Sequence, residues 1–495
     1  MPRLATKHSG AEIVTRSDFT GGLNLSRPPD SIDDNELQEA VNFEFEASTG
    51  LLCTRLGLAP VHEFPWRVSD IIPSPEMGVV LVRSGDLIYR VLDGEVTHIG
   101  EVEGSGPASY EQWGDGEKRN SLLLAFGKRL YLYCGDEIQV IGTEGAPEAA
   151  EVVFARSGRV IVAESGSDTI RYSGVGDPFR WTEDTDGDSV SVSVGYKDGC
   201  STRAIAALAG ELIIFKAPDG QPEHGRIYRL QGDYPNWSII PFSRGASAWN
   251  RRSVLNVGGD VLFLTREGLA NVATATEYGD FKLGWAGKKI NSALSRELSE
   301  ACRLWHMPIR NQVWLSGGAG GACENVWCYH YNVGGGAWTT LRFPQPVTAA
   351  APAHGSVYVA MGNTLYMLSE AAPDDAGLPL EASLKLKTVT GRNQTLLKGV
   401  TVHYQSTPDA EAHMLADRFC LPLPCGGQVG GEDVAYYDSD IAYHDPDYLV
   451  AHATNLTAGV VRRRCVMRRW SVTPEIRVMN GRFNLSMLGL EVTEV

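Results

Sequence analysis

Five guanidinium groups fall within eight residues late in the chain, at Arg462, Arg463, Arg464, Arg468 and Arg469. Such a cluster repels itself unless a partner supplies negative charge. Two partners are chemically apt: nucleic-acid phosphate, bound by clustered Lys and Arg through counterion release, and protein carboxylate, which forms charge-assisted hydrogen bonds with arginine. Side chains alternate along a strand, so Arg462, Arg464 and Arg468 share one face and Arg463 and Arg469 the other, which lets two different neighbours be engaged. A source of carboxylate lies upstream in the same region, at Asp438, Asp440, Asp445 and Asp447. The expected role is an inter-subunit contact between these two sets, with phosphate contact as the alternative.

Three other constellations combine residue types that could do chemistry. Asp184, Asp186 and Asp188 surround a glycine turn and could offer oxygen ligands to calcium, but the loop lacks the distal bidentate Glu and reads as a solvated acidic turn. Cys323 and Cys328, with His330 close by, and Cys420 and Cys425 repeat one spacing, yet a tetrahedral zinc site would need both pairs to meet. Gly287-Lys288 lacks the spacing and the following Ser or Thr of a phosphate-binding loop. No serine elbow or metalloprotease helix is present, so no catalytic residue, cofactor or metal is assigned.

The charge of the whole chain narrows the classes. With 60 acidic against 44 basic residues the formal charge is −16, which disfavours a general phosphate-binding surface but is compatible with a channel that lets DNA slide past. Nine cysteines, an odd and thinly spread set, read as reduced thiols made in a reducing cytoplasm. Residues 1–10 hold no signal-peptide run, and the most apolar stretch, 204–215, is short and broken by Glu211, so no membrane insertion is expected.

The elements that must carry these residues are strands. The 54 glycines and 25 prolines suit many short strands joined by tight turns. Residues 79–82, 87–91 and 96–99 form one meander, separated by Ser84-Gly85-Asp86 and Asp93-Gly94 turns, and residues 122–126, 130–133 and 138–141 form the next. The rhythm of about 35–45 residues recurs to residue 369, which matches propeller blades. The reading is an all-β chain: a six- or seven-bladed β-propeller over residues 1–370, whose N-terminal segment closes the last blade, and an appended sandwich-like β domain over 371–495. A short helix is expected at 287–299.

The segment Phe19-Thr20-Gly21-Gly22-Leu23-Asn24, followed by Asn35-Glu36 and by Ala40-Val41-Asn42-Phe43, resembles the opening "GGLN" and "N-E-x-x-x-A-x-N" elements of podovirus tail proteins. Arg171-Tyr172-Ser173-Gly174-Val175-Gly176-Asp177-Pro178 with Trp181, and Thr265-Arg266-Glu267-Gly268-Leu269 with Tyr278-Gly279-Asp280, add to the likeness over about the first 370 residues. The chain is similar to the tail hub, nozzle or packaged-DNA-stabilisation family of bacteriophage. That resemblance implies a structural virion protein and not an enzyme. It implies a homohexameric ring below the portal and head-to-tail adaptor, near tail needle, fibre or tailspike proteins. Genomic DNA would lie in its axial channel without sequence-specific binding and leave through it on ejection. The competing expectation is a carbohydrate- or receptor-binding propeller, prompted by Tyr436, Tyr437, Tyr443 and Tyr448 beside aspartates.

Overall fold

The computed structural model describes residues 12–92, 94–114, 120–182, 189–274, 281–318, 325–417, 419–426 and 456–494. The chain divides into two compact units, one of Pro60–Val326 with Gln345–Met367 and the other of Met1–Ala59, Trp327–Pro344 and Leu368–Val495.

The unit of Pro60–Val326 and Gln345–Met367 is a β-propeller. Five four-stranded meanders succeed one another: Val68–Ser74 to Glu95–Glu101, Ser109–Trp113 to Glu137–Ile141, Ala150–Arg156 to Val190–Ser193, Ser201–Leu208 to Ser238–Arg244, and Val254–Val257 to Phe281–Trp285. The hairpin of Leu298–Met307 and Gln312–Gly318 begins another sheet, and Val347–Ala353, Ser356–Met361 and Thr364–Ser369 begin the last. Seven inner strands therefore ring an axis. Strict alternation gives each sheet two apolar faces, and successive sheets bury them against one another. Ile72, Leu81 and Ile88 of the first meander meet Leu122, Leu124 and Tyr133 of the second. Ala349, Ala351 and Leu365 of the last sheet meet Val68, Val80 and Val91 of the first, which closes the ring.

The fourth strand of the last sheet is Gly57–Glu63, from the N-terminal side of the chain. Asn363 Nδ2 donates to Glu63 Oε1 at 3.1 Å and to the Phe64 carbonyl at 3.1 Å, fastening this junction. Residues 12–54, which sequence reading assigned to the propeller, belong instead to the other unit, so the boundary does not fall at 370. Their strands are as short and apolar as blade strands, and only long-range pairing distinguishes the two destinations. The expected helix at 287–299 is also reduced, to Asn291–Leu294, because Leu298 already starts a ten-residue strand that buries Leu298, Cys302, Leu304 and Met307.

The second unit is a β-sandwich. One sheet runs Thr457–Val472, Val389–Ser406, Phe483–Glu494, Leu52–Thr54, Phe43–Phe45, with Glu12–Arg16 also paired to Phe483–Glu494. The facing sheet contains Ala337–Arg342, Glu36–Val41, Glu381–Leu386, Pro474–Met479, Glu411–Ala416 and Phe419–Leu423 in that order. Leu384, Met414 and Ile476 of one layer share a core with Leu397, Val400, Val402 and Leu488 of the other.

The opening motif has a structural explanation here. Gly22 has φ +62°, and an added Cβ would lie 2.6 Å from the Trp338 nitrogen; at Gly21 it would lie 2.7 Å from Asn35 Oδ1. Asn24 Nδ2 donates to Glu36 Oε2 at 2.7 Å, and the same oxygen accepts the Asp33 amide at 2.9 Å. Asn42, at φ +56°, accepts from Arg55 Nε at 2.9 Å and the Arg342 amide at 2.7 Å and donates to the Glu381 carbonyl at 2.7 Å. These residue types serve tight turns and buried polar closure rather than catalysis.

Candidate functional site

The five arginines lie on Thr457–Val472, a sixteen-residue strand at the end of its sheet among the described residues. Its core-side positions Val461, Cys465 and Met467 pack against the sandwich interior, which fixes the register of the rest. Arg464 stands opposite Gly399, Arg462 opposite Thr401 and Arg468 opposite Leu396, all on the outer face; Arg463 stands opposite buried Val400 and Arg469 opposite buried Thr395. A register shift between Leu397 and Gly399 absorbs one extra residue of the arginine strand, so the 462, 464, 468 grouping persists through a bulge.

The outer face continues across the sheet. Arg464, Gly399, Glu491 and Ile13 form one cross-strand row, and Arg462, Thr401, Gly489 and Thr15 the next. With glycine at the middle of each row, the surface sinks into a groove of about 630 Å³ bordered by Ile13, Lys398, Arg462, Arg464 and Glu491. A Cβ at Gly399 would approach the Glu491 carboxylate to 3.3 Å, which links the glycine to the depth of the groove. Cations outnumber carboxylates along it.

Arg462, Arg463, Arg464 and Arg468 are exposed and make no ion pair among the described residues; Arg469 is half-buried, 3.3 Å from Asp417 and donating to the Arg468 carbonyl at 2.9 Å. Trp470 lies 68 % exposed beside Arg468, and Val460 is 62 % exposed at the other end of the stripe. An edge strand with alternating charge is also how proteins deter edge-to-edge pairing. That role does not explain an exposed tryptophan or a cationic groove two strands wide.

Sequence reasoning missed Asp417, Lys398 and Glu491, none of which is near the arginines in the chain. Asp417 sits at the tip of a hairpin at φ +51°, and only the fold brings it within reach. The acids named from sequence, Asp438, Asp440, Asp445 and Asp447, lie outside the described residues, as do the clustered tyrosines, Asp184, Asp186, Asp188 and Cys323. Cys328 is buried on Asn325–His330, while Cys420 is exposed and Cys425 is half-buried with its thiol 3.3 Å from the Leu423 carbonyl. Among the described residues no three His, Cys, Asp or Glu side chains converge as a metal site, and no helix is long and apolar enough to cross a membrane.

No family model matches the sequence, and no curated protein matches it. Among solved structures, the chain is similar to the extracellular domain of a hybrid two-component system from B. thetaiotaomicron, at 10 % identity and TM-score 0.44, over 80 % of this chain and 58 % of that one. A second extracellular domain of that kind from the same organism aligns at 12 % identity and TM-score 0.40, covering 67 % of this chain and 42 % of the other. The RRP9 WD40 repeats align at 11 % identity and TM-score 0.42, over 66 % of this chain and 99 % of theirs. The chain thus spans less than two thirds of either bacterial domain.

Proposed function

We propose that this protein is a structural subunit of a short bacteriophage tail, a hub or nozzle component that acts by assembling into a ring and conducting DNA rather than by catalysis. The observation that carries the reading is the arginine face on the sandwich edge: an acidic chain concentrates exposed guanidiniums on one strand and leaves four of them without an ion pair among its described residues. The resemblance of the opening glycine and asparagine elements to tail proteins supports it, because those residues are bound into the fold in a purely architectural way. Carboxylates of an adjacent subunit are the complement such a face selects.

The test is native mass spectrometry of the purified chain beside a DNA-retention assay in assembled particles. Arg464→Glu with Arg468→Glu should reduce the ring to monomers, and reversing an aspartate among Asp438, Asp440, Asp445 and Asp447 to lysine should restore part of it. An intact ring whose DNA retention changes with salt would assign the stripe to phosphate instead. A wild-type chain that stays monomeric at all concentrations would overturn the assembly reading.

A further inference from the structure

The seven inner strands of the propeller enclose a cavity of about 580 Å³, within the size range of small-molecule sites. Its wall is mostly apolar, with Phe154, Ile205, Val254 and Leu304 among the contributors, but polar groups converge on it from three inner strands and the adjoining 3-10 turn, Arg251–Ser253. Arg251, Arg252 and Arg303 supply three guanidiniums against two carboxylates, Asp70 and Glu111. His306 and Tyr110 also line it; burial pushes the imidazole down, toward the neutral form, and the phenol up.

The two acids do not balance the three bases. Asp70 is shared: it pairs with Arg252, lies 3.8 Å from Arg83, and accepts the Ala108 amide at 3.2 Å and the Ser69 hydroxyl at 2.8 Å. Glu111 faces Arg251, whose Nε donates to Ser109 Oγ at 3.0 Å, and burial pushes the Glu111 carboxyl up. Arg303 has no carboxylate partner among the described residues. Its guanidinium donates to backbone carbonyls, to Ser69 at 3.2 Å and to Thr348, and burial together with nearby Arg67 brings it down to about 10. Gln112 also lines the cavity: it donates to Ser74 Oγ at 2.9 Å, and its buried Oε1 has no hydrogen-bond partner among the described residues. The cavity thus offers an anion site beside Ser69 and Asp70, and an idle acceptor further along the same strand, beside Ser74.

We propose that the axial cavity of the propeller binds a small organic oxyanion, a carboxylate or a phosphate ester. Its anionic group would sit on Arg303, beside the Arg252–Asp70 pair. The oxyanion supplies the charge that Arg303 lacks, and the apolar wall takes the ligand's carbon skeleton. This site is independent of the arginine face on the sandwich.

Isothermal titration of the full chain with glucuronate, glucose 6-phosphate and glucose tests it. One of the two anions should bind and glucose should bind at least about tenfold more weakly, as a charge-assisted contact requires. Which anion binds decides between carboxylate and phosphate. Arg303→Gln should weaken binding by about tenfold or more, while Glu111→Gln, which removes a competing carboxylate at nearly equal volume, should tighten it several-fold. If Arg303→Gln does not fold, the Glu111→Gln result decides alone. Equal affinity for glucose and the anions, no binding of any of the three at millimolar concentration, or indifference to Glu111→Gln would overturn the proposal.

Discussion

Replacing Arg55 by methionine isolates one of the most buried charges in the sandwich. Arg55 Nη1 and Nη2 donate to Asp375 Oδ1 and Oδ2 at 2.8 and 2.5 Å, with the two side chains 0 % and 4 % exposed. The same guanidinium donates to the Leu56 and Arg342 carbonyls at 2.9 and 2.8 Å and to Asn42 Oδ1 at 2.9 Å, and it stacks 4.6 Å from the centre of the Phe343 ring. Every donor direction is used, so the pair is well satisfied while whole. Arg55→Met leaves the Asp375 carboxylate buried and uncompensated, a loss of about 3–5 kcal/mol. For a unit of this size, each kcal/mol moves the midpoint by about 2–4 °C, so calorimetry should show the sandwich transition falling by about 10 °C. Arg55→Met with Asp375→Leu removes both charges and should recover much of the loss. Recovery stays incomplete because the Leu56 and Arg342 carbonyls lose their shared donor. A single variant within about 1 kcal/mol of wild type, or a double variant worse than the single one, would refute the reasoning.

Two further outcomes follow from the fold. In the propeller, burial pushes the Asp198 carboxyl up, but hydrogen bonds from Lys216 Nζ at 2.9 Å, the Cys200 amide at 3.0 Å and the Tyr228 hydroxyl at 2.9 Å outweigh it and hold it below the usual carboxylate range. A depressed folded value means the pair's stability is fully present above about pH 4 and is lost as pH falls through the folded value. Lys216→Met should lower stability by about 3 kcal/mol at pH 7 and flatten the acid limb of a urea-unfolding series, and an unchanged limb would count against the assignment. Deleting residues 1–54 removes Glu36–Val41 from between Ala337–Arg342 and Glu381–Leu386 but spares Gly57–Glu63. Limited proteolysis should therefore open the sandwich first; early cleavage inside the Val347–Ala353 sheet would contradict that order.

Period and turn chemistry in the sequence determined the class of fold. Short apolar runs closed by Gly and Asp place strands such as Val79–Ser84 and Leu130–Cys134 without any tertiary information, because a strand buried on both faces reads as an unbroken apolar run between turns. That Arg462, Arg464 and Arg468 share one face was legible from the two-residue period of a strand; that this face is the outer one was decided by packing of Val461, Cys465 and Met467 on the core. The destination of residues 12–54 was not: a three-residue strand such as Phe43–Phe45 carries no mark of its sheet, and pairing with Leu52–Thr54 is what places it in the sandwich. Nor could sequence gather the axial cavity, whose arginines at 251, 252 and 303 and carboxylates at 70 and 111 come from elements far apart in the chain. Only ring closure, through packing of the last sheet on the first, turns those inner strands toward one another and decides which charges must share a common space.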